Sequence, residues 1–227
     1  MGTRKSRIIG VLNAFHAARP WDHNAHFHRW ILRTLPRRFD RALDVGCGTG
    51  DLARALAARA GAVDALDADA DTVARARALT PSSSPVTYTV GSAPEGLPPG
   101  PYDVITCVAV LHHLPFTESL QRFRAELAPG GTLVVVGLAR PETGADRARD
   151  LTSAVSNVAM ALVKNRGRKV PRPAAMTAPV KPPTMTLADI SREAERVLPG
   201  VRVRGRLFWR HTLVWHAETS GSAHRSL

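Results

Sequence analysis

At 227 residues the chain falls within the size of one α/β domain, since a single hydrophobic core grows to roughly 250 residues before splitting. Hydrophobic residues make up 44% and charged residues 22%, an ordinary globular balance, and no apolar run approaches the ~18 residues of a membrane span. The formal net charge of +12 leaves a polyanionic partner open, but arginines are spread along almost every segment, so the charge alone does not select nucleic acid.

The two cysteines, Cys47 and Cys107, are too few for a disulfide framework, and both fall in apolar stretches. That usage points to a reducing, cytoplasmic setting. The first six residues match a myristoylation pattern, and residues 3–19 are arginine-rich in the manner of a transit peptide. Neither reading is adopted, because the pattern is short and arginine is abundant throughout.

Apolar spacing predicts a helix over residues 22–35, with Asp22 as its N-cap and Pro36 ending it. Short apolar runs then alternate with helical stretches at 42–45, 52–59, 62–66, 71–79, 86–90 and 104–110, the pattern of βα units feeding a parallel sheet. A helix over 120–127 closes at Pro129-Gly130-Gly131, and the uniformly apolar run 132–136 reads as a buried fifth strand. Residues 145–164 carry an apolar helical face, and 164–181 is too rich in proline and basic residues for regular structure. A helix over 188–198, a Pro199-Gly200 turn and alternating runs at 201–209 and 211–216 predict a terminal helix and hairpin, with a disordered tail at 219–227. The expected organisation of the single domain, residues 1–218, is thus an N-terminal helix (22–35), a core (41–139), an insertion or lid (141–186) and a terminal unit (187–217).

The run Asp44-Val45-Gly46-Cys47-Gly48-Thr49-Gly50 places glycines where a strand must turn sharply into a helix and let a ligand approach its backbone. Such turns also hold the pyrophosphate of dinucleotides. In that fingerprint the third glycine would fall at position 51, which is Asp51, a carboxylate where the pyrophosphate should sit. No GK[ST] sequence completes a phosphate loop either, so a phosphate-free, cationic ligand suits the turn better.

Leu43 to Gly50 resembles motif I of the class I S-adenosylmethionine-dependent methyltransferases, and residues 41–139 keep that family's order of segments. The resemblance implies a doubly wound, Rossmann-like α/β sheet of seven strands in the order 3-2-1-4-5-7-6, the last antiparallel, with an N-terminal helix and a helical insertion after strand 5. It implies S-adenosylmethionine as cofactor, held around Asp44, Gly46, Cys47, Gly48 and Gly50. Asp67, followed by Ala68, matches the acid that receives the two ribose hydroxyls. Gly91-Ser92-Ala93 resembles the segment that meets adenine, with Ser92 in place of the family's acid. Tyr102-Asp103-Val104-Ile105, the strand end near Val108 with Leu111-His112-His113-Leu114, and Leu127-Ala128-Pro129-Gly130-Gly131 resemble the remaining motifs. Residues 22–28 and 207–215 are similar to stretches of the type 11 small-molecule group, with His211 where that group suggests tyrosine.

A sulfonium methyl is already activated, so alignment of the acceptor carries most of the rate, with a base where the acceptor must lose a proton. The candidate bases are His113 and His23; His26, His112 and Trp209 are candidates for lining the acceptor pocket. Each also has a bland reading, as a loop, helix-surface or packing residue. A metal site from His23, His26 and His28 is rejected, because His28 points away from His26 on a helix. The expected activity is methyl transfer, O- or N-directed, to a small organic acceptor. An RNA methyltransferase using the basic run Lys164, Arg166, Arg168, Lys169 and Arg172 is the first alternative, weakened by the absence of interleaved aromatic residues. The second is a non-catalytic cofactor-binding partner of another subunit.

Overall fold

A computed structural model describes residues 23–166, 168 and 181–219. The expectations for Asp22, for the first 19 residues, for Lys169 and Arg172 and for the tail beyond 219 lie outside the described residues. In chain order the elements are α1 (His23–Thr34), β1 (Phe39–Val45), α2 (Asp51–Ala57), β2 (Ala60–Asp67), α3 (Ala70–Ala78), β3 (Val86–Val90), β4 (Tyr102–Val108), a 3₁₀ turn (Leu111–His113), α4 (Phe116–Glu126) and β5 (Leu127–Leu138). They end with α5 (Gly144–Lys164), α6 (Leu187–Val197), β6 (Arg202–Gly205) and β7 (Arg210–His216).

The seven strands form one sheet in the order β3-β2-β1-β4-β5-β7-β6. Pairings among β1 to β5 are parallel, and β7 runs antiparallel to both β5 and β6. The strands are apolar because helices cover both faces. Leu43, Val45, Ile105, Leu133 and Leu213 pack on one side with Leu120, Phe123 and Ala194; Ala42, Val63, Val104 and Val134 pack on the other with Ile31, Leu56 and Val73. Successive connections leave β1 toward β2 on one side and reach β4 on the other, so a crevice opens beyond the carboxyl ends of β1 and β4.

Three local expectations shift. Helix α4 begins at Phe116, four residues before its predicted start, because Pro115 caps a first turn too polar to register in the apolar count. The Pro129-Gly130-Gly131 stretch lies inside β5, which starts at Leu127 where the chain turns extended and pairs with Tyr102. Strand β6 stops at Gly205, and residues 206–209 form a turn in which Phe208 and Trp209 have φ of 61° and 58°. Trp209 therefore belongs to a left-handed turn, tied to α5 by Phe208 N–H donating to Ser153 Oγ at 2.9 Å.

The segment entering α6 is fixed to the sheet. Arg140 N–H donates to Met185 O at 2.8 Å, and Thr186 caps α6 by accepting from Asp189 N–H while Asp189 accepts from Thr186 N–H, a reciprocal capping box. Thr186→Ala is expected to lower unfolding free energy by about 1 kcal/mol, read from a urea titration, because an orphan N–H of α6 loses its acceptor.

Candidate active site

The carboxyl ends of β1 and β2 are joined by the glycine turn itself. Gly46 and Cys47 N–H both donate to Leu66 O, at 2.7 and 3.0 Å, and Gly48 N–H donates to Asp67 Oδ2 at 2.8 Å. Asp69 N–H donates to the other oxygen, Asp67 Oδ1, at 3.0 Å. Each carboxylate oxygen accepts one backbone bond and keeps acceptor capacity for a ligand.

The glycines do different things. A Cβ on Gly46 would overlap the Val110 side chain, and one on Gly50 would overlap the Tyr88 hydroxyl. Gly48 has φ +53° and nothing within 4 Å of where a Cβ would stand. The closeness at Gly46 and Gly50 is thus to the protein's own side chains, and the open approach is at Gly48. Asp51, at the start of α2, accepts from Thr49 Oγ1 at 2.9 Å and pairs with Arg54 at 2.6 Å. This acid occupies the helix N-terminus that a pyrophosphate would need.

Asp44 is 1% exposed and lies behind the turn. Thr106 Oγ1 donates to its Oδ1 at 2.8 Å, whereas Oδ2 has no hydrogen-bond partner. Burial pushes its carboxyl up to about 7, the Thr106 bond opposing and the Asp67 charge adding. An unpaired buried carboxylate oxygen beside an open glycine fits a ligand that brings its own positive charge. Cys47 and Cys107 are both buried, and burial first, then the Asp44 charge, raises each thiol above its usual range. They are apolar lining.

Ser92 and Ala93 follow β3 at the same sheet edge, as do Ala68 after β2 and Val108 at the end of β4. Ala109 follows with φ 57°, its N–H donating to Val136 O at 2.7 Å, which carries the chain over into the 3₁₀ turn. The histidines fall into two groups. His23 shares a 2.9 Å hydrogen bond with Asn157 Oδ1 and packs near Phe208 and Trp209, with ring centroids 5.9 and 6.3 Å away; His26 packs edge-on to Phe208. His112 and His113 sit in the 3₁₀ turn with centroids 4.0 Å apart, His112 half-buried and His113 exposed.

Beside His112 stands a residue that the sequence flagged only as an unexpected substitution. His211 is 3% exposed at the start of β7, its ring against Gly137 of β5. Inward alternation with Leu213 and Trp215 was the available signal. Tyr88 and Thr106, which close Gly50 and bind Asp44, were not legible, because both act across strands. Among the described residues no cluster of three or more His, Cys, Asp or Glu side chains could hold a metal ion.

The Asp44 shift has a measurable sign. Its native carboxyl binds a proton more tightly than the unfolded one, so ionising it costs stability as pH rises from 3.8 toward about 7. His112 and His211, lowered to about 4, act in the opposite direction as their unfolded forms titrate. The comparison is therefore with a variant: Asp44→Asn is expected to gain stability relative to the parent as pH rises from 3.8 to about 7 and to keep that gain above it, read as the difference in urea midpoints.

A family profile for a methyltransferase domain, of type 12, matches residues 43–133. An uncharacterised methyltransferase of Mycobacterium tuberculosis is 32% identical over 201 residues, covering 87% of this chain and 98% of that protein. A ubiquinone biosynthesis O-methyltransferase of Thiobacillus denitrificans is 35% identical over 129 residues, 51% of this chain and 56% of that protein. Human N-acetylserotonin methyltransferase, solved in complex with SAM, shares the fold with a TM-score of 0.57 at 15% identity, over 85% of this chain and 52% of that one. Identity sustained along nearly the whole of a relative, on a sheet wound in this order, places the chain in the class I S-adenosylmethionine-dependent methyltransferase family.

Proposed function

We propose that the chain methylates a hydroxyl oxygen of a small organic acceptor, with S-adenosylmethionine bound across the carboxyl ends of β1, β2 and β4. When bound, that cofactor supplies a methyl group activated by its sulfonium charge. Asp44 Oδ2 would receive its cationic amino acid end, Gly48 the open backbone approach, and Asp67 the ribose hydroxyls, with Ala68, Ser92 and Ala93 toward the adenine. The chain's own task is then to bind, orient and keep water from the acceptor.

One observation carries the acceptor class. The cavity beside the 3₁₀ turn is walled by Leu111, Leu114, Phe116, Leu138, Met185 and Ile190, and among the described residues no Arg or Lys lines it. A polynucleotide needs cations along its path and stacking faces for its bases; this wall suits an uncharged organic molecule. The O-methyltransferase relatives, matched over about half of their length, support oxygen as the acceptor atom. Among the described residues no helix is long and apolar enough to cross a membrane.

The test is S-adenosylhomocysteine release from S-adenosylmethionine with a panel of small phenols, catechols and alcohols, beside tRNA and rRNA. Turnover on a hydroxyl acceptor is expected. RNA methylation that falls steeply with salt, or cofactor binding with no turnover on any acceptor, would overturn the reading. In calorimetry, Asp67→Ala is expected to weaken S-adenosylmethionine binding by about 1.5 to 3 kcal/mol, the cost of losing charged hydrogen bonds. An unchanged affinity would remove Asp67 from the site.

A further inference from the structure

Helix α5 buries a different kind of side chain from the other helices. Helices α1, α3 and α6 bury Phe27 and Ile31, Val73 and Ala76, and Ile190, Ala194 and Val197. The buried side chains of α5, among the described residues, are small or polar: Ser153, Asn157 and Ala161, spaced four residues apart and 0, 5 and 0% exposed. Ser153 Oγ accepts from Phe208 N–H at 2.9 Å, and Asn157 Oδ1 shares a 2.9 Å hydrogen bond with His23. The apolar side chains at its end stand in solvent, Leu162 41% and Val163 71% exposed, with Ala159 exposed beside them. A surface helix ordinarily buries its apolar stripe, so a helix with the stripe outward offers a surface for something else to cover.

Helical geometry shows how far that stripe runs. At about 100° per residue, Leu151, Val155, Val158, Ala159, Leu162 and Val163 occupy positions on the side away from the buried row, interrupted by Thr152. Asp146 and Asp150 occupy positions on the side of the buried row. Arg147 and Arg149 stand at the two borders, and Arg166 and Arg168, both exposed, follow the end of the helix. At 21 residues the helix is about 31 Å long, and among the described residues none is apolar enough to cross a membrane.

We infer that the outward face of α5 docks on an anionic lipid bilayer, with the helix lying in the plane of the surface. The apolar row sinks to the boundary of headgroups and acyl chains, and the arginines at its borders and end meet the phosphates. Charge selects this occupant: cations flank the apolar row while the acids of the helix sit behind it, and the net charge of +12 draws the whole chain toward an anionic surface. A second copy fits less well. Antiparallel pairing of Leu151 with Leu162 and of Val155 with Val158 would set Arg149 against Lys164 and Arg147 against Arg166, and parallel pairing would set each cation against its own copy. A polynucleotide would meet the arginines but leave the apolar row wet.

The docking helix and the crevice share one edge of the sheet. The turn at 206–209, which α5 holds through Ser153, leads into β7 at Arg210, and Arg210 pairs with Leu138 at the carboxyl end of β5. Strands β1, β4 and β5 are parallel, so their carboxyl ends lie at that same edge. Docking through α5 brings the crevice edge near the bilayer. It is independent of which acceptor atom receives the methyl group.

The test is sedimentation of the full-length protein with vesicles of phosphatidylcholine alone and of phosphatidylcholine mixed with phosphatidylglycerol. Binding to the anionic vesicles is expected to exceed binding to the neutral ones about tenfold and to fall as salt is raised. No binding to either, or equal binding to both, would overturn the inference. Replacing both exposed apolar residues, Leu162→Gln with Val163→Gln, is expected to lower binding to the anionic vesicles about tenfold and to leave S-adenosylhomocysteine affinity in calorimetry unchanged. Should that variant not fold, Val163→Gln alone carries the same reading, since that side chain is 71% exposed. Arg166→Glu with Arg168→Glu is expected to weaken vesicle binding as well. If the arginine variant loses binding while the glutamine variant keeps it, the contact is adsorption by charge and the docking of the apolar row is refuted. A protein that sediments as a dimer without lipid, and as a monomer once Leu162 and Val163 are replaced, would assign the face to a second copy and overturn the bilayer.

Discussion

The arrangement depends on a short backbone clamp. Leu66 O receives two N–H groups of the glycine turn, and Asp67 receives a third, so the loop after β1 is held by the end of β2. Without it, three residues with positive φ would carry large conformational entropy and no fixed course. Asp67, the proposed ribose-binding acid, is therefore also the anchor of the glycine loop. Asp69 N–H holds the same carboxylate from behind, which orients it without consuming its remaining acceptor positions.

Electrostatics then give the two sides of the crevice opposite characters. Around the glycine turn, acids are brought together: Asp44 buried with Oδ2 unpaired, Asp67 half-buried, Asp51 at the first turn of α2. Such a group repels phosphates and favours a cation. On the other side, beyond Val110, imidazoles are held uncharged in an apolar wall.

Much of this was legible before the structure. The alternation of apolar runs and helical stretches gave the parallel core, because each strand is buried on both faces and each helix on one. The glycine turn, with Asp51 in place of a third fingerprint glycine, already argued against a dinucleotide. What stayed hidden was non-local. Tyr88 closing Gly50, Thr106 binding Asp44 and His211 beside His112 meet only when β3, β4 and β7 are laid in the sheet. Local chemistry also misled: Pro129-Gly130-Gly131 reads as a turn but lies in β5, since Gly130 absorbs a φ of 76° within the strand. Nothing in the alternation of residues 201–209 announced that Phe208 and Trp209 would adopt left-handed backbone.

Val110 has a consequence for how such a protein can change its tastes. Its side chain fills the space that Gly46 leaves, and its carbonyl receives the N–H of His113 at 2.8 Å, so one residue braces the coenzyme loop and the turn carrying the histidines. A mutation there reshapes both compartments at once. The Pro183–Met185 strap lines the cavity beside the 3₁₀ turn, suspended between Arg140 and the cap of α6. A substitution along the strap would thus alter that wall while leaving the contact between Val110 and Gly46 in place.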